Sequence, residues 1–151
     1  MDNQLETRKL LSTDDIKVLW SKTYSDTGKP DWSHIFPYYD ESIVFQDSIQ
    51  KIEGKDKFVS MCNRLAKRCK SLKMDIFTIV QNDLVIMMEW KMTMSFRFFP
   101  KKPIYGASKL TFNENGKIIE QRDYYDLWGD IYDGIPIYRR IYRWFMRVFF
   151  G

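Results

Sequence analysis

Two cysteines and a single histidine in 151 residues leave little material for a metal centre or a disulfide framework. Cys62 and Cys69 are seven apart in one predicted helix, about 10.5 Å along its axis. A disulfide spans roughly 4.4–6.8 Å between Cα atoms, so both are expected as reduced core residues. Neither a metal nor a cofactor is expected. No run of 18 apolar residues occurs, and the opening "MDNQLETRKL" lacks the apolar stretch of a secretory leader. A soluble, cytoplasmic protein is the expectation. Motifs for a phosphate-binding loop, a dinucleotide fold, a zinc protease or a serine nucleophile are missing too. With no internal repeat, low-complexity tract or linker, one domain over residues 1–151 is expected.

What is present is aromatic and basic. Rings make up 17% of the chain, enough to line a core or a pocket unusually heavily. The net charge of +4 is concentrated in two stretches, residues 64–73 and 139–147. Ser12 to Asp15 reads as a helix start, and Ile16, Leu19, Trp20 and Thr23 continue it to about residue 24. A short helix is predicted over 31–36, closed by Pro37, with His34 as a surface residue of it rather than a catalytic base. "SIVFQDSIQKIEG" reads as a strand followed by a turn or hairpin. Residues 55–70 form the clearest helix, with an apolar stripe through Phe58, Cys62, Leu65 and Cys69. Its basic face carries no interleaved rings to stack bases, so no nucleic-acid partner is expected.

Strands dominate the second half, at about 72–81, 84–96, 104–113 and 117–128, with "FPKKP" as a loop and "NENG" as a hairpin turn. Strand 84–96 alternates almost without error, placing Ile86, Met88, Trp90, Met92 and Met94 on one face. Early helices and late strands indicate an α+β fold, an antiparallel sheet curved over helices. The apolar face of strand 84–96 is too large for one helix to cover, so a curved sheet would leave a cavity beneath it. Against this background "KIIEQRDYYDLW", residues 117–128, places Asp123 in mid-strand, where β-propensity disfavours it. A carboxylate pointing into such a cavity is desolvated and its pKa rises towards that of a usable acid or base. Period two then sets Gln121 and Tyr125 on the same inward face; a register one residue different would pair Asp123 with Arg122 or Lys91 outside. Asp47, in "VFQDSI", is either a second pocket carboxylate or a turn cap.

"YYDESIVFQDSIQKIEGKDKF" and "GASKLTFNENGKIIEQRDYYDLW" together resemble the nuclear transport factor 2-like superfamily in its SnoaL-like branch, over about residues 12–130. The resemblance implies a cone-shaped α+β barrel with a deep apolar pocket, a small apolar ligand and often a homodimer. The branch spans ketosteroid isomerases, limonene epoxide hydrolases, polyketide cyclases and binding domains that catalyse nothing. "RDYYD" is similar to the epoxide hydrolase segment whose first aspartate is a catalytic acid, which is Asp123 here. The Arg and Asp that orient water in those enzymes are replaced by Trp90 and Met92, so that set is incomplete. "VFQDS" is similar to the isomerase segment holding a general-base aspartate, which is Asp47 here. The two isomerase donors to an enolate oxygen, a Tyr and a protonated Asp, correspond to Trp20 and Ser108. An indole N–H and a hydroxyl can donate, but make a weaker oxyanion hole. The resemblance thus implies Asp47 and Asp123 as catalytic candidates, with Trp20, Trp90, Met92 and Ser108 about the ligand, to which strand period adds Gln121 and Tyr125.

"GIPIYRRIYRWFMRVFFG" is expected to form an amphipathic helix over about 136–149. At 100° per residue its four arginines share a sector of about 100°, and apolar residues take most of the remainder. Closing the pocket mouth or packing on a second subunit is the expectation. Peripheral contact with a membrane, or with an acidic partner, is the alternative.

Overall fold

The computed structural model describes residues 10–97, 102–131 and 135–151. The opening decapeptide and the "FPKKP" loop therefore lie largely outside the described residues. Helix α1 (Thr13–Ser21) begins in a reciprocal cap: Ser12 Oγ accepts from Asp15 N, and Asp15 Oδ2 accepts from Ser12 N. The helix buries Ile16 and Trp20 and ends earlier than expected, because Lys22 is already extended. The short second helix is a 3-10 turn, Ser33–Tyr38, with Pro37 inside it. His34 lies outside the cavity and ties that turn to α1, its Nε2–H donating to the Leu19 carbonyl at 2.7 Å.

Strands β1 (Tyr39–Gln46) and β2 (Lys51–Glu53) form a hairpin, and α2 (Lys55–Arg68) follows, burying Phe58, Cys62 and Ala66. Both cysteines are free and buried. Strands β3 (Ser71–Asn82), β4 (Val85–Ser95), β5 (Lys102–Phe112) and β6 (Ile118–Tyr125) then run as an antiparallel meander. The sheet order is β2-β1-β6-β5-β4-β3. It is mostly antiparallel: β1 lies parallel to β6, pairing Phe45 with Gln121 and so bringing the two aspartate-bearing strands side by side.

Register shifts in the β1–β6, β3–β4 and β5–β6 pairings accompany the curvature of this unclosed sheet, whose inner face wraps the helices. At the β3 edge, Thr23 Oγ1 donates to the Leu72 carbonyl and the Tyr24 hydroxyl accepts from Leu72 N, both at 2.9 Å. These two side chains satisfy an edge residue that no strand pairs on that side. The alternation read in strand 84–96 holds, with Ile86, Met88 and Trp90 at 2% exposure or less.

The last strand stops at Tyr125 instead of continuing to residue 128. Asp126 Oδ1 accepts from Trp128 N and Gly129 N, diverting the chain into a π-helical turn, Leu127–Ile131. Helix α3 (Pro136–Phe150) follows and buries none of its residues. Among the described residues no helix is long and apolar enough to cross a membrane.

Candidate functional site

The inner face of the sheet, α1, α2 and the 3-10 turn shape a cavity of about 540 Å³. Its walls are chiefly apolar, with Trp20, Phe58, Met74, Met92, Met94 and Ile104 among them. Strand β4 supplies much of that wall through the alternation that marked it in the sequence. A cavity this apolar leaves any ionised group facing it poorly solvated.

Asp123 faces it nonetheless. It keeps some accessible surface because it opens on the cavity, not on bulk water. Ser108 Oγ donates to Asp123 Oδ1 at 2.6 Å and in turn accepts from Trp90 Nε1 at 2.8 Å. Gln121 Nε2 donates to Oδ1 at 3.0 Å and to Oδ2 at 3.2 Å. The Tyr39 hydroxyl donates to Gln121 Oε1, which fixes the amide with its nitrogen towards the carboxylate. Every neighbour therefore presents a donor, and Oδ2, with the single longer bond, keeps lone-pair capacity for a ligand.

Two effects oppose each other at this carboxyl. Burial raises its pKa, the Ser108 and Gln121 hydrogen bonds lower it, and the charge of Asp47 raises it again. Burial wins, and the group is pushed up to about 6. Burial also holds the Tyr39 hydroxyl well above the ordinary tyrosine range, aided by Cys62 and Asp123 and opposed by a hydrogen bond with Trp20. The Cys62 thiol is pushed up to about 12, by burial first and by Asp123 second. It is a neutral wall residue and not a nucleophile.

Asp47 fills both roles foreseen for it. Its Oδ1 accepts from Ile49 N and Gln50 N, both at 2.8 Å, capping the β1–β2 turn. Its Oδ2 accepts from the Tyr125 hydroxyl at 3.2 Å, and both residues line the cavity. Burial, and then the Asp47 charge, push the Tyr125 hydroxyl above its ordinary range, so it stays protonated and donates.

The eight residues singled out in the sequence, Asp47 and Asp123 with Trp20, Trp90, Met92, Ser108, Gln121 and Tyr125, all line this one cavity. Ser108 and Gln121 converge on Asp123 and Trp90 holds Ser108 in turn, whereas Met92 supplies apolar wall. Sequence reasoning missed Tyr39 and Gly106. Alternation traced back from Asp47 through Phe45 and Ile43 next meets exposed Glu41, and the β1 register shifts between Tyr39 and Val44, so strand period alone did not point to Tyr39. Gly106 pairs with Trp90 across the β4–β5 ladder, and a Cβ there would lie 2.5 Å from the Trp90 ring. Its only sequence signal is a glycine inside a strand, which marks close approach without naming the partner. Among the described residues no three His, Cys, Asp or Glu side chains gather as a metal site.

Solved structures share this architecture at low identity. A hypothetical protein with a ketosteroid isomerase-like fold from Catenulispora acidiphila, crystallised with trimethylamine, is 13% identical with a TM-score of 0.67, covering 82% of this chain and 94% of that one. An LEH-like epoxide hydrolase from M. tuberculosis is 14% identical with a TM-score of 0.58, covering 72% and 80%. A SnoaL-like polyketide cyclase homologue from Jannaschia is 16% identical with a TM-score of 0.58, covering 69% and 78%. At such identities the likeness speaks for the fold alone, and no curated protein matches the sequence. The fold is nuclear transport factor 2-like, and residues 29–121 match the family described as "Uncharacterized conserved protein (DUF2358)", to which this chain belongs.

Proposed function

We propose that the protein binds a small, mostly apolar molecule in this cavity and presents Asp123 to the one group on it that can give or take a proton. The observation that supports this reading most is the carboxyl itself: desolvated, held by three donor contacts and pushed up to about 6, it can change protonation near neutral pH. As the carboxylate it would accept a proton through Oδ2 from a C–H beside a carbonyl, a hydroxyl or an ammonium. As the acid it would donate one. Isomerase- or cyclase-like proton transfer is the catalytic form of this reading, with Asp47 and Tyr125 bounding the ligand.

Binding without turnover is the second reading, and one specific feature favours it. Ser108 donates to Asp123, Trp90 to Ser108 and Tyr39 to Gln121, so these donors are already engaged. A developing enolate oxygen would have to displace one of them. Enolate chemistry therefore has weak support here, and base catalysis that generates little charge elsewhere has more.

A thermal-shift screen of apolar small molecules, with and without a hydroxyl, carbonyl or amine, tests the proposal. A true ligand held at a hundred times its Kd adds about 2.7 kcal/mol, which for a chain this size raises Tm by roughly 5–11 °C. Asp123→Asn removes a charge-assisted hydrogen bond and should weaken a polar-tagged ligand roughly ten- to a hundredfold. Equal affinity in the variant would remove Asp123 from the site. Product formation by the native chain, lost in the variant, would choose catalysis over binding.

A further inference from the structure

Helix α3 contributes no side chain to the cavity; Ile135, the residue before it, is the last one that does. Its one ring contact with the rest of the described chain is the stack of Tyr142 on Trp128, at 5.5 Å between centroids. The apolar residues of the helix face outward. Ile137, Tyr138, Ile141, Trp144, Val148, Phe149 and Phe150 are all more than half exposed, Ile137 and Phe150 at 73% and 74%. A face of this kind needs a cover, because folded chains rarely leave so large an apolar patch in water.

At 100° per residue the helix has a basic and an apolar face, with only its end residues Pro136 and Phe150 falling inside the basic sector. Arg139, Arg140, Arg143 and Arg147 fall within a sector of about 100°, and the helix contains no acidic residue. An arc of about 200° running from Trp144 through Ile137, Ile141 and Phe145 to Met146 is apolar. Trp144 stands at the boundary, next to Arg140 on the wheel. We infer that α3 lies in the surface of an anionic lipid bilayer, rings and aliphatic side chains in the acyl boundary and arginines among the headgroups.

Charge favours a lipid surface over a second copy of the chain. A second copy packed on the apolar arc would cover it but bring no opposite charge to the arginine sector on the other side of the helix, because α3 has no acidic residue. A bilayer accepts the exposed part of the apolar arc without shape complementarity, and its anionic headgroups supply negative charge along the arginine sector. Because α3 leaves the fold at cavity-lining Ile135, the lipid surface would also lie beside the cavity wall.

Flotation of the full-length protein with vesicles tests the inference. Vesicles of phosphatidylcholine containing one-third phosphatidylserine should carry the protein upward, and pure phosphatidylcholine should carry far less. Raising salt several-fold should release it, since screening weakens headgroup attraction. Replacing all four arginines, as Arg139→Gln, Arg140→Gln, Arg143→Gln and Arg147→Gln, should lower the partition coefficient on the order of a thousandfold. Ile141→Glu with Phe145→Glu should abolish flotation while leaving circular dichroism and the thermal midpoint unchanged, because neither side chain is buried. Failure of the native chain to float, or equal flotation by the glutamine variant, overturns the inference. So does a dimer by light scattering that the double glutamate variant splits without any vesicle binding. Capture of the native chain by soluble polyglutamate but not by vesicles would give the face to an acidic protein instead, and equally overturns it.

Discussion

Asp123 should make this protein more stable in mild acid than at neutral pH. Its folded-state pKa of about 6 lies above the ordinary carboxyl value of 3.8. Between those values the native carboxyl holds a proton that the unfolded one has lost, so stability falls as pH rises from about 4 to about 6 and is level beyond. Two pKa units correspond to about 3 kcal/mol. Asp123→Asn keeps the shape and the Ser108 contact but cannot ionise. Its urea stability should exceed that of the native chain by about 1–3 kcal/mol at pH 8, with the advantage vanishing near pH 4. A variant less stable at pH 8 would mean that its lost hydrogen bonds outweigh desolvation. The inward direction of Asp123, Gln121 and Tyr125 was legible in the sequence, because period two in a strand needs only one fixed register. That Gln121 is clamped by Tyr39 was not legible. The two are 82 positions apart, and their contact depends on which strands become neighbours.

At the scale of elements, the β4–β5 ladder carries the site, and its tightest point is the pairing of Trp90 with Gly106. A Cβ on residue 106 would meet the Trp90 ring at 2.5 and 2.6 Å and the Tyr124 carbonyl at 2.7 Å. The indole must then move, taking its N–H from Ser108, which holds Asp123. Gly106→Ala should cost about 1–3 kcal/mol for overpacking and about 1 more for the hydrogen bond, read as a lowered urea midpoint. Native stability in that variant would show that the strands separate freely and that Trp90 is not pinned. Strong periodicity made β4 and α2 legible. Element ends were less so, because side-chain caps decide them. Asp126 turns the chain out of β6 through bonds to Trp128 and Gly129 that no strand pattern announces. The capping box at Ser12 and Asp15 did mark the start of α1, since its residue types are local and specific.

Across the whole molecule, the parallel pairing of β1 with β6 joins segments some 75 residues apart and brings Asp47 and Asp123 to one cavity. Hydropathy shows which face of a strand is buried but not which strand lies beside it, so this neighbour relation was reachable only through the resemblance of two separated segments to a known fold. The same contrast governs the last helix. Its amphipathic pattern was plain, whereas whether it covers the cavity depended on its placement, and the structure leaves α3 exposed with Tyr142 stacked on Trp128. Removing residues 136–151 while keeping Ile135 should therefore leave the sheet, the cavity and the pH response of Asp123 intact. The stack contributes about 0.5–1.5 kcal/mol, so its loss alone should lower the thermal midpoint by roughly 1–6 °C for a chain of this length. The truncated protein should also be more soluble, having lost an exposed apolar face. A loss of cooperative unfolding, or of the rise in stability between pH 6 and pH 4, would show instead that α3 belongs to the fold and that its exposed face is covered by the chain itself.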